Sequence, residues 1–541
     1  MSSTLRSVAP ALGVLIVLCG LTFLPLFDPS RAFVSWDDTT NIVENEAIHE
    51  LDAQSLSWAL SAAHLGVYEP VSWWMKTLEI HLFGLAPRTF HVLSLVMHTL
   101  SAGLLFAIAR RVLACALPAA RARDVTFGAL GAALLWALHP LRTEVVAWAS
   151  GQSYAQAGLF YMASLYAYLR RAERSEGGTG WLVASVLLYA CAVMSKSAAI
   201  ALPVALVALD VYPLRRFRAR RAWLEKSGYV AVATGAVVLA WLATAGAQEG
   251  NAIELDAAQK VARAAFAVCA YLGRTVWPVD LVPHEGLPLY GIELLHPRFL
   301  LPALAVVTTS AAAVMLFRRH PWFAVAWAVF LGTLLPVLGF VQHGVLALAF
   351  DRYTYLSTIP IACVAGAAVV RIVGRHPRFV AAVAAVVLAT LGTLTRRQLD
   401  VWRDTESLWR HTLAIAPGNG FAANNLGHHL MEEERYDEAR AVLAVGYDTG
   451  YRNLKLVLNL GVTLERLGRI ADSAALYEEN LPRYPDSAAI HNNLAIMLLN
   501  LGRPLAALPH LERTVELDPT IAGAVEHLER LRARLGEAPG P

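Results

Sequence analysis

Apolar runs long enough to cross a bilayer fill the first four hundred residues, and near residue 395 the pattern changes to amphipathic helices with soluble loops. The runs lie near 8–27, 90–110, 125–141, 154–169, 180–194, 198–213, 228–246, 299–317, 321–340, 354–372 and 378–395. Hydrocarbon thickness demands about 20 apolar residues per helical crossing, so the pattern predicts about eleven transmembrane helices. The first run is too long for the core of a cleavable signal and lacks a small-residue exit site, which predicts an uncleaved first span.

Basic residues mark cytoplasmic loops, and here they alternate consistently. Arg6, the Arg110–Arg123 group, Arg170–Arg174, Arg215–Arg221, Arg318–Arg319 and Arg371–Arg378 all fall on one side of this scheme. Residues 259–277 test it, because they are apolar yet carry Lys260, Arg263 and Arg274. Spacings of three and eleven residues put those charges on one helical face. The segment therefore reads as an amphipathic helix in the interface; the alternative is a twelfth crossing with snorkelling ends. The first reading places the 28–89 loop, the His139–Trp148 turn, Lys196, the Phe350–Tyr355 turn and the C-terminal region outside the cytoplasm together.

After residue 397 the chain repeats itself. Asn425-Leu426-Gly427 returns as Asn459-Leu460-Gly461 and as Asn493-Leu494-Ala495, at steps of 34 residues, the tetratricopeptide period. Ala439, Ser473 and Ala507 keep the register, as do Leu443, Tyr477 and Leu511. A half-repeat, 404–417, with Trp409 at the large-residue position, caps the array. The fold class is therefore all-α: a multi-spanning membrane domain over 1–397 and a tetratricopeptide solenoid over 398–541. Asn425, Asn459 and Asn493 recur at one position of the inner helices. Their amides could bind an acceptor peptide's backbone without reading its sequence, or could simply be solvated.

Composition agrees with a bilayer-embedded chain: 56% of residues are hydrophobic and 16% charged, with a mean hydropathy of +0.47. A net charge of +3 implies no nucleic-acid partner. The five cysteines all sit in apolar stretches and read as small core residues.

Four segments could carry chemistry. Phe33-Val34-Ser35-Trp36-Asp37-Asp38 presents adjacent carboxylates at a membrane edge, able to supply a general base or to hold a divalent metal ion; the alternative is an Asp cap on a following helix. His139, Arg142 and Glu144 flank a turn where they could bind phosphate and tune a carboxylate, or form an Arg142–Glu144 pair at a helix start. Lys196 is an ammonium within an apolar hairpin, a site by default or a snorkelling side chain. Arg352 and Tyr353 suit bidentate contact with a lipid phosphate, or Arg352 pairs locally with Asp351. No glycine-rich nucleotide cradle occurs on a soluble segment, so a sugar donor would have to be lipid-borne.

The ordered set 33–38, Tyr68-Glu69-Pro70 with Leu82-Phe83-Gly84-Leu85, His91 and His98, His139–Glu144, Leu334–Gly339 and Asp351–Leu356, followed by tetratricopeptide repeats, resembles a known family. It is similar to the transmembrane-and-tetratricopeptide protein O-mannosyltransferases, of the GT-C class of polyprenol-dependent glycosyltransferases, and would be a bacterial relative. The resemblance implies a multi-pass inner-membrane enzyme. It would move sugar from a lipid-phosphate-linked donor to protein hydroxyls outside the cytoplasm, with no further cofactor certain. Asp38, with Asp37 as the alternative, would deprotonate the acceptor, aided by Glu144. His139, Arg142, Lys196, Arg352 and Tyr353 would hold the donor. Asn425, Asn459 and Asn493 would bind acceptor, on the pattern of the similar Asn ladder in nucleocytoplasmic O-linked N-acetylglucosamine transferases. The chain departs from the family at Gly151–Tyr154, where relatives carry Arg and Asp, at Ser197, where they carry Pro or Glu, and at Glu69, where they carry Arg or His. A non-catalytic membrane scaffold recruiting partners through the repeats is the competing reading.

Overall fold

The computed structural model describes residues 3–174, 177–245, 255–288, 291–340 and 347–536. The last residue of the expected 228–246 span and the final five of the repeat domain lie outside them. The chain separates into two compact units, Met1–Leu408 and Trp409–Pro541. Helices account for all the regular structure among the described residues, with two isolated β-bridges, His64 with Val67 and Glu285 with Ala349.

In the first unit, four helices are long and apolar enough to cross a membrane: Pro87–Ala116, Arg220–Ala243, Pro297–Met315 and Pro377–Val401. Two bent pairs would make six, Ala122–Ala137 with Pro140–Ala147 (60°) and Asp351–Ser357 with Ile359–Val373 (55°). Proline accounts for the first break, because Pro140 lacks the N–H that continues a helical ladder. Shorter apolar helices cover Val8–Thr22, Thr179–Ser195, Ser197–Val211 and Pro321–Val337. Gln152–Ala172 is long enough, at 21 residues, but Gln152, Ser153, Gln156 and Ser164 dilute its apolar character. With so much apolar helix, this is a membrane protein.

Packing between the helices rests partly on small residues. A Cβ on Gly128 would stand 2.5 Å from the Gly366 carbonyl oxygen, and one on Gly366 equally close to that of Gly128. Helices Ala122–Ala137 and Ile359–Val373 therefore touch through their backbones, as small-residue stripes permit in membranes. Gly128→Val should cost about 1–3 kcal/mol of overpacking, read as a lower unfolding temperature of the detergent-purified chain.

Polar contacts gather at the two ends of Gln152–Ala172, about 30 Å apart by helical rise. At its C-terminal end Arg171 pairs with Glu225 (2.7 Å) and Arg111 with Glu173 (3.0 Å). There, too, Asp210 accepts from Tyr168 (2.6 Å) and pairs with Lys226 and Arg216. On helix Ala257–Val276 two of the three charges, Arg263 and Arg274, meet protein, while Lys260 is half-buried. Arg263 donates to the carbonyl of Leu338 (3.3 Å), and Arg274 pairs with Asp351 (2.7 Å) and Glu285. Carbonyls and carboxylates of neighbouring segments thus satisfy Arg263 and Arg274.

The second unit stacks three helix pairs, Gly420–Glu432 with Tyr436–Asp448, Leu454–Arg466 with Ile470–Asn480, and Ala488–Asn500 with Pro504–Leu517, followed by Ala524–Leu535. The repeat pattern has a steric cause. A Cβ on Gly427 would run into Leu443, and one on Gly461 into Tyr477; Ala495 and Leu511 are both fully buried.

Candidate active site

The first loop is built around Asp38. Its Oδ1 accepts from the Ser150 N–H (2.8 Å) and hydroxyl (2.6 Å), while its Oδ2 accepts from the Val34 N–H (3.0 Å). Asp38 is 1% exposed and makes no side-chain cap on the helical turn Thr39–Val43. It fastens the loop to the turn before Gln152–Ala172, so it is an anchor and not the helix cap the sequence offered as an alternative. Asp37, next to it, is half-buried. Arg31 secures the other end of the loop by donating to the carbonyls of Pro25 (2.7 Å) and Leu399 (2.9 Å).

Burial pushes the Asp38 carboxyl up to about 6, against the downward pull of the Ser150 and Val34 hydrogen bonds. In the folded chain this acid keeps its proton where the unfolded chain has lost it. Its contribution to loop docking is thus complete below about pH 4 and is lost as pH rises through about 6, a difference of roughly 3 kcal/mol. Hydrogen exchange of residues 33–41, corrected for intrinsic rates, should be slower at pH 5 than at pH 8. Asp38→Asn should abolish that difference.

Donor sets, not sequence neighbours, decide the remaining roles. Glu144 accepts from the Arg352 N–H (2.7 Å) and pairs with its guanidinium. Neither local pair forms, for Arg142 bonds the Thr354 carbonyl (3.0 Å) and the hydroxyls of Thr354 and Thr358 (3.0 and 3.1 Å), and Asp351 faces Arg274. Arg142 is 1% exposed and holds the Thr354–Ser357 turn in place. His139 donates from Nε2 to the Thr275 carbonyl (3.0 Å) and accepts the Leu141 N–H at Nδ1 (3.3 Å), capping its turn. His139 spends both ring nitrogens within the protein, and Arg142 spends its two terminal nitrogens there, while its buried Nε has no hydrogen-bond partner among the described residues. His98, reaching Tyr355 and the Ala137 carbonyl (both 3.0 Å), supports the same turn from below.

Arg352 lies among aromatic rings. Its guanidinium carbon is 3.9 Å from the Phe350 ring centroid, 5.4 Å from Trp148 and Tyr353, 5.5 Å from Trp36 and 5.9 Å from Tyr154. Trp36 stacks on Trp148 at 5.0 Å. Lys196 sits over the other neighbour of this set, its Nζ 5.0 Å from the Tyr154 ring centroid, and it pairs with Glu69. A cleft lined by Tyr154, Thr333, Arg352, Tyr353 and Tyr355 opens beside them. The structure therefore brings together Trp36 of the first loop, Glu144 and Trp148 of the second, Lys196 and Arg352–Tyr353. Reading the sequence alone missed Glu69, Tyr154 and Trp148 as members. Glu69 and Tyr154 carried a signal, since both fall where the chain departs from the family pattern; Trp148 carried none.

A divalent ion at Asp37 and Asp38 does not fit this arrangement. Three N–H and O–H donors already fill the Asp38 oxygens, and no group of three or more His, Cys, Asp or Glu side chains among the described residues could hold a metal. In the second unit the three repeat asparagines each spend an N–H internally: Asn425 on the Phe421 carbonyl (2.7 Å), Asn459 on Asn424 (3.1 Å) and Asn493 on the Tyr477 hydroxyl (3.2 Å).

Residues 424–488 and 458–520 match the Tetratricopeptide repeat family model. Over 226 residues the chain is 24% identical to Protein O-mannosyl-transferase TMTC2 of Homo sapiens, a match covering 40% of this chain and 25% of that protein. Over this stretch the chain is similar to the transmembrane-and-tetratricopeptide O-mannosyltransferases. Protein O-mannosyl-transferase Tmtc1 of Drosophila melanogaster matches at 25% identity over 32% of this chain and 19% of its own length. The chain thus spans a quarter or less of the length of these curated relatives. Among solved structures, ArnT from Cupriavidus metallidurans in the apo state aligns with 88% of this chain and 80% of its own at 16% identity and a TM-score of 0.36, too distant a likeness to bear on function.

Proposed function

We propose that this chain is an integral-membrane glycosyltransferase that moves a sugar from a polyprenyl-phosphate-linked donor to hydroxyls of extracytoplasmic proteins. All eleven apolar segments cross an inner membrane in this reading, and the cleft and the repeat domain both face outward. The observation that carries it is the pair of cations sharing the Tyr154 ring, Lys196 at 5.0 Å and Arg352 at 5.9 Å, at the edge of an apolar helical domain. Two cations held apart by one phenol suit a phosphate monoanion or dianion arriving from the bilayer.

In the reaction, a half-buried carboxylate takes the proton of a Ser or Thr hydroxyl. The hydroxyl oxygen bonds to the anomeric carbon, whose bond to the phosphate oxygen breaks. The electron pair leaves with the polyprenyl phosphate, which Arg352 and Lys196 stabilise. Asp37 fits the base role better than Asp38, because Asp37 is half-buried while Asp38 is enclosed and cannot meet an acceptor without the loop opening. Glu144 orients Arg352 and does not touch the reacting atoms.

The repeat array would present the acceptor. Asn425 and Asn459 still have the carboxamide oxygen and a second N–H to offer an extended backbone, and Asn493 has a second N–H, its oxygen already accepting from the Asn492 amide (3.3 Å). Changing all three to Ala should raise acceptor KM about fivefold or more without altering donor hydrolysis. The test of the whole reading is reconstitution: full-length protein in nanodiscs, a labelled polyprenyl-phosphate mannose, and a Ser/Thr-containing peptide. Label should pass to peptide as polyprenyl phosphate is released. A chain that binds partners through its repeats but transfers no sugar from any lipid-phosphate donor would instead be a scaffold.

A further inference from the structure

Glu69 precedes Pro70 at the start of helix Pro70–Phe83, where an acidic side chain would ordinarily cap the helix, yet it makes no such bond. Its carboxylate is 5% exposed and pairs with Lys196. On the other side lies Lys76, two turns into the same helix and buried, whose ammonium donates to the Ser72 hydroxyl (3.1 Å) and sits 4.7 Å from the Trp73 ring centroid. The Ser72 N–H donates to the Glu69 carbonyl (3.0 Å), so the Lys76 ammonium is held on the helical turn that Glu69 opens. One residue thus pairs with a lysine at the cleft and opens the turn on which a second, buried lysine is held.

We propose that Glu69 is an exchangeable counter-ion that sets donor affinity. With the cleft empty it neutralises Lys196; when a lipid phosphate arrives it turns to Lys76 and releases Lys196 to the phosphate. Arg352 needs no such exchange, because Glu144 lies beneath it and can orient it while the phosphate binds. The inference rests on the phosphate-binding reading of the cleft. It adds a positioning residue that acts on the donor only through Lys196. It also gives Lys76 a purpose, since a buried ammonium satisfied only by a hydroxyl and a ring is costly unless a carboxylate can reach it.

The experiment is titration of the full chain in nanodiscs with undecaprenyl phosphate. Glu69→Gln should tighten binding about fivefold, as expected when a competing internal charge is removed. Lys76→Met should weaken it by a similar factor, because Glu69 then has no second partner and stays on Lys196. The double variant should bind like Glu69→Gln, a reversal that a merely structural salt bridge would not give. Glu69→Asp, with a shorter reach, covers the case where the Gln variant does not fold, and should tighten binding by a smaller factor. Unchanged or weaker binding on altering Glu69, with binding still weakened in Arg352→Gln, overturns the counter-ion role alone. No binding by the wild-type chain, or binding indifferent to Arg352, overturns the phosphate reading beneath it.

Discussion

Asp37→Asn should lower sugar transfer by about 10²–10⁴-fold, the range that a positioned general base supplies, while undecaprenyl phosphate still binds with wild-type affinity. The two neighbouring acids differ in how far they are buried. Asp38 is enclosed and receives the Val34 and Ser150 donors; a hydroxyl proton could reach it only if those bonds broke. Asp37 remains half-buried on the same turn, one residue after Trp36, whose ring faces Arg352 at 5.5 Å. Asp38→Asn should therefore act through the loop: its amide cannot accept from all three donors, so thermal stability falls and activity falls with it. Single-turnover transfer measured beside a melting curve separates the two variants. If Asp38→Asn lost turnover at unchanged stability while Asp37→Asn stayed active, the assignment of base and anchor would be reversed.

Segment-level features of this molecule were legible in the sequence because they follow from periodicity. The 34-residue step located the repeat helices, and the recurrence of Gly427 and Gly461 opposite Leu443 and Tyr477 already encodes the close helix contact seen in the structure. Basic clusters grouped Arg111, Arg171 and Arg216, and the structure does join these groups at one end of Gln152–Ala172. Partner choice was not legible. Arg142 and Glu144 stand two residues apart, and Asp351 and Arg352 are adjacent, so local pairing was the natural alternative. Instead each reaches across more than seventy residues, to Thr354, Arg352, Arg274 and Glu144 respectively. Side-chain direction along a helical turn sets such pairs, and adjacent residues on a turn point apart. Much of the aromatic surround of Arg352 was hidden for the same reason: beside its own neighbours Phe350 and Tyr353, rings come from Trp36 and from the 148–154 stretch. The charged face of Ala257–Val276 shows the limit of amphipathicity, since periodicity locates a polar face without saying whether water or protein meets it.

Arg352→Gln should reduce the transfer rate by about 10²–10³-fold, the usual consequence of removing one preorganised donor to a developing anion. Its size comes from how the guanidinium is held. Glu144 fixes it from beneath through the backbone N–H and the side chain, and Phe350, at 3.9 Å, covers one side. A fork held this way keeps N–H groups directed at the cleft without reorganising as charge builds on the leaving phosphate. Arg352→Lys should recover little of the loss, because an ammonium cannot satisfy Glu144 and a phosphate with one planar set of donors. The loss should appear in the rate of the bound complex, measured by single turnover at saturating donor, and not in acceptor KM. Turnover by Arg352→Gln within tenfold of the wild-type chain would mean that the leaving phosphate departs elsewhere, and that the ring-lined guanidinium merely joins two loops.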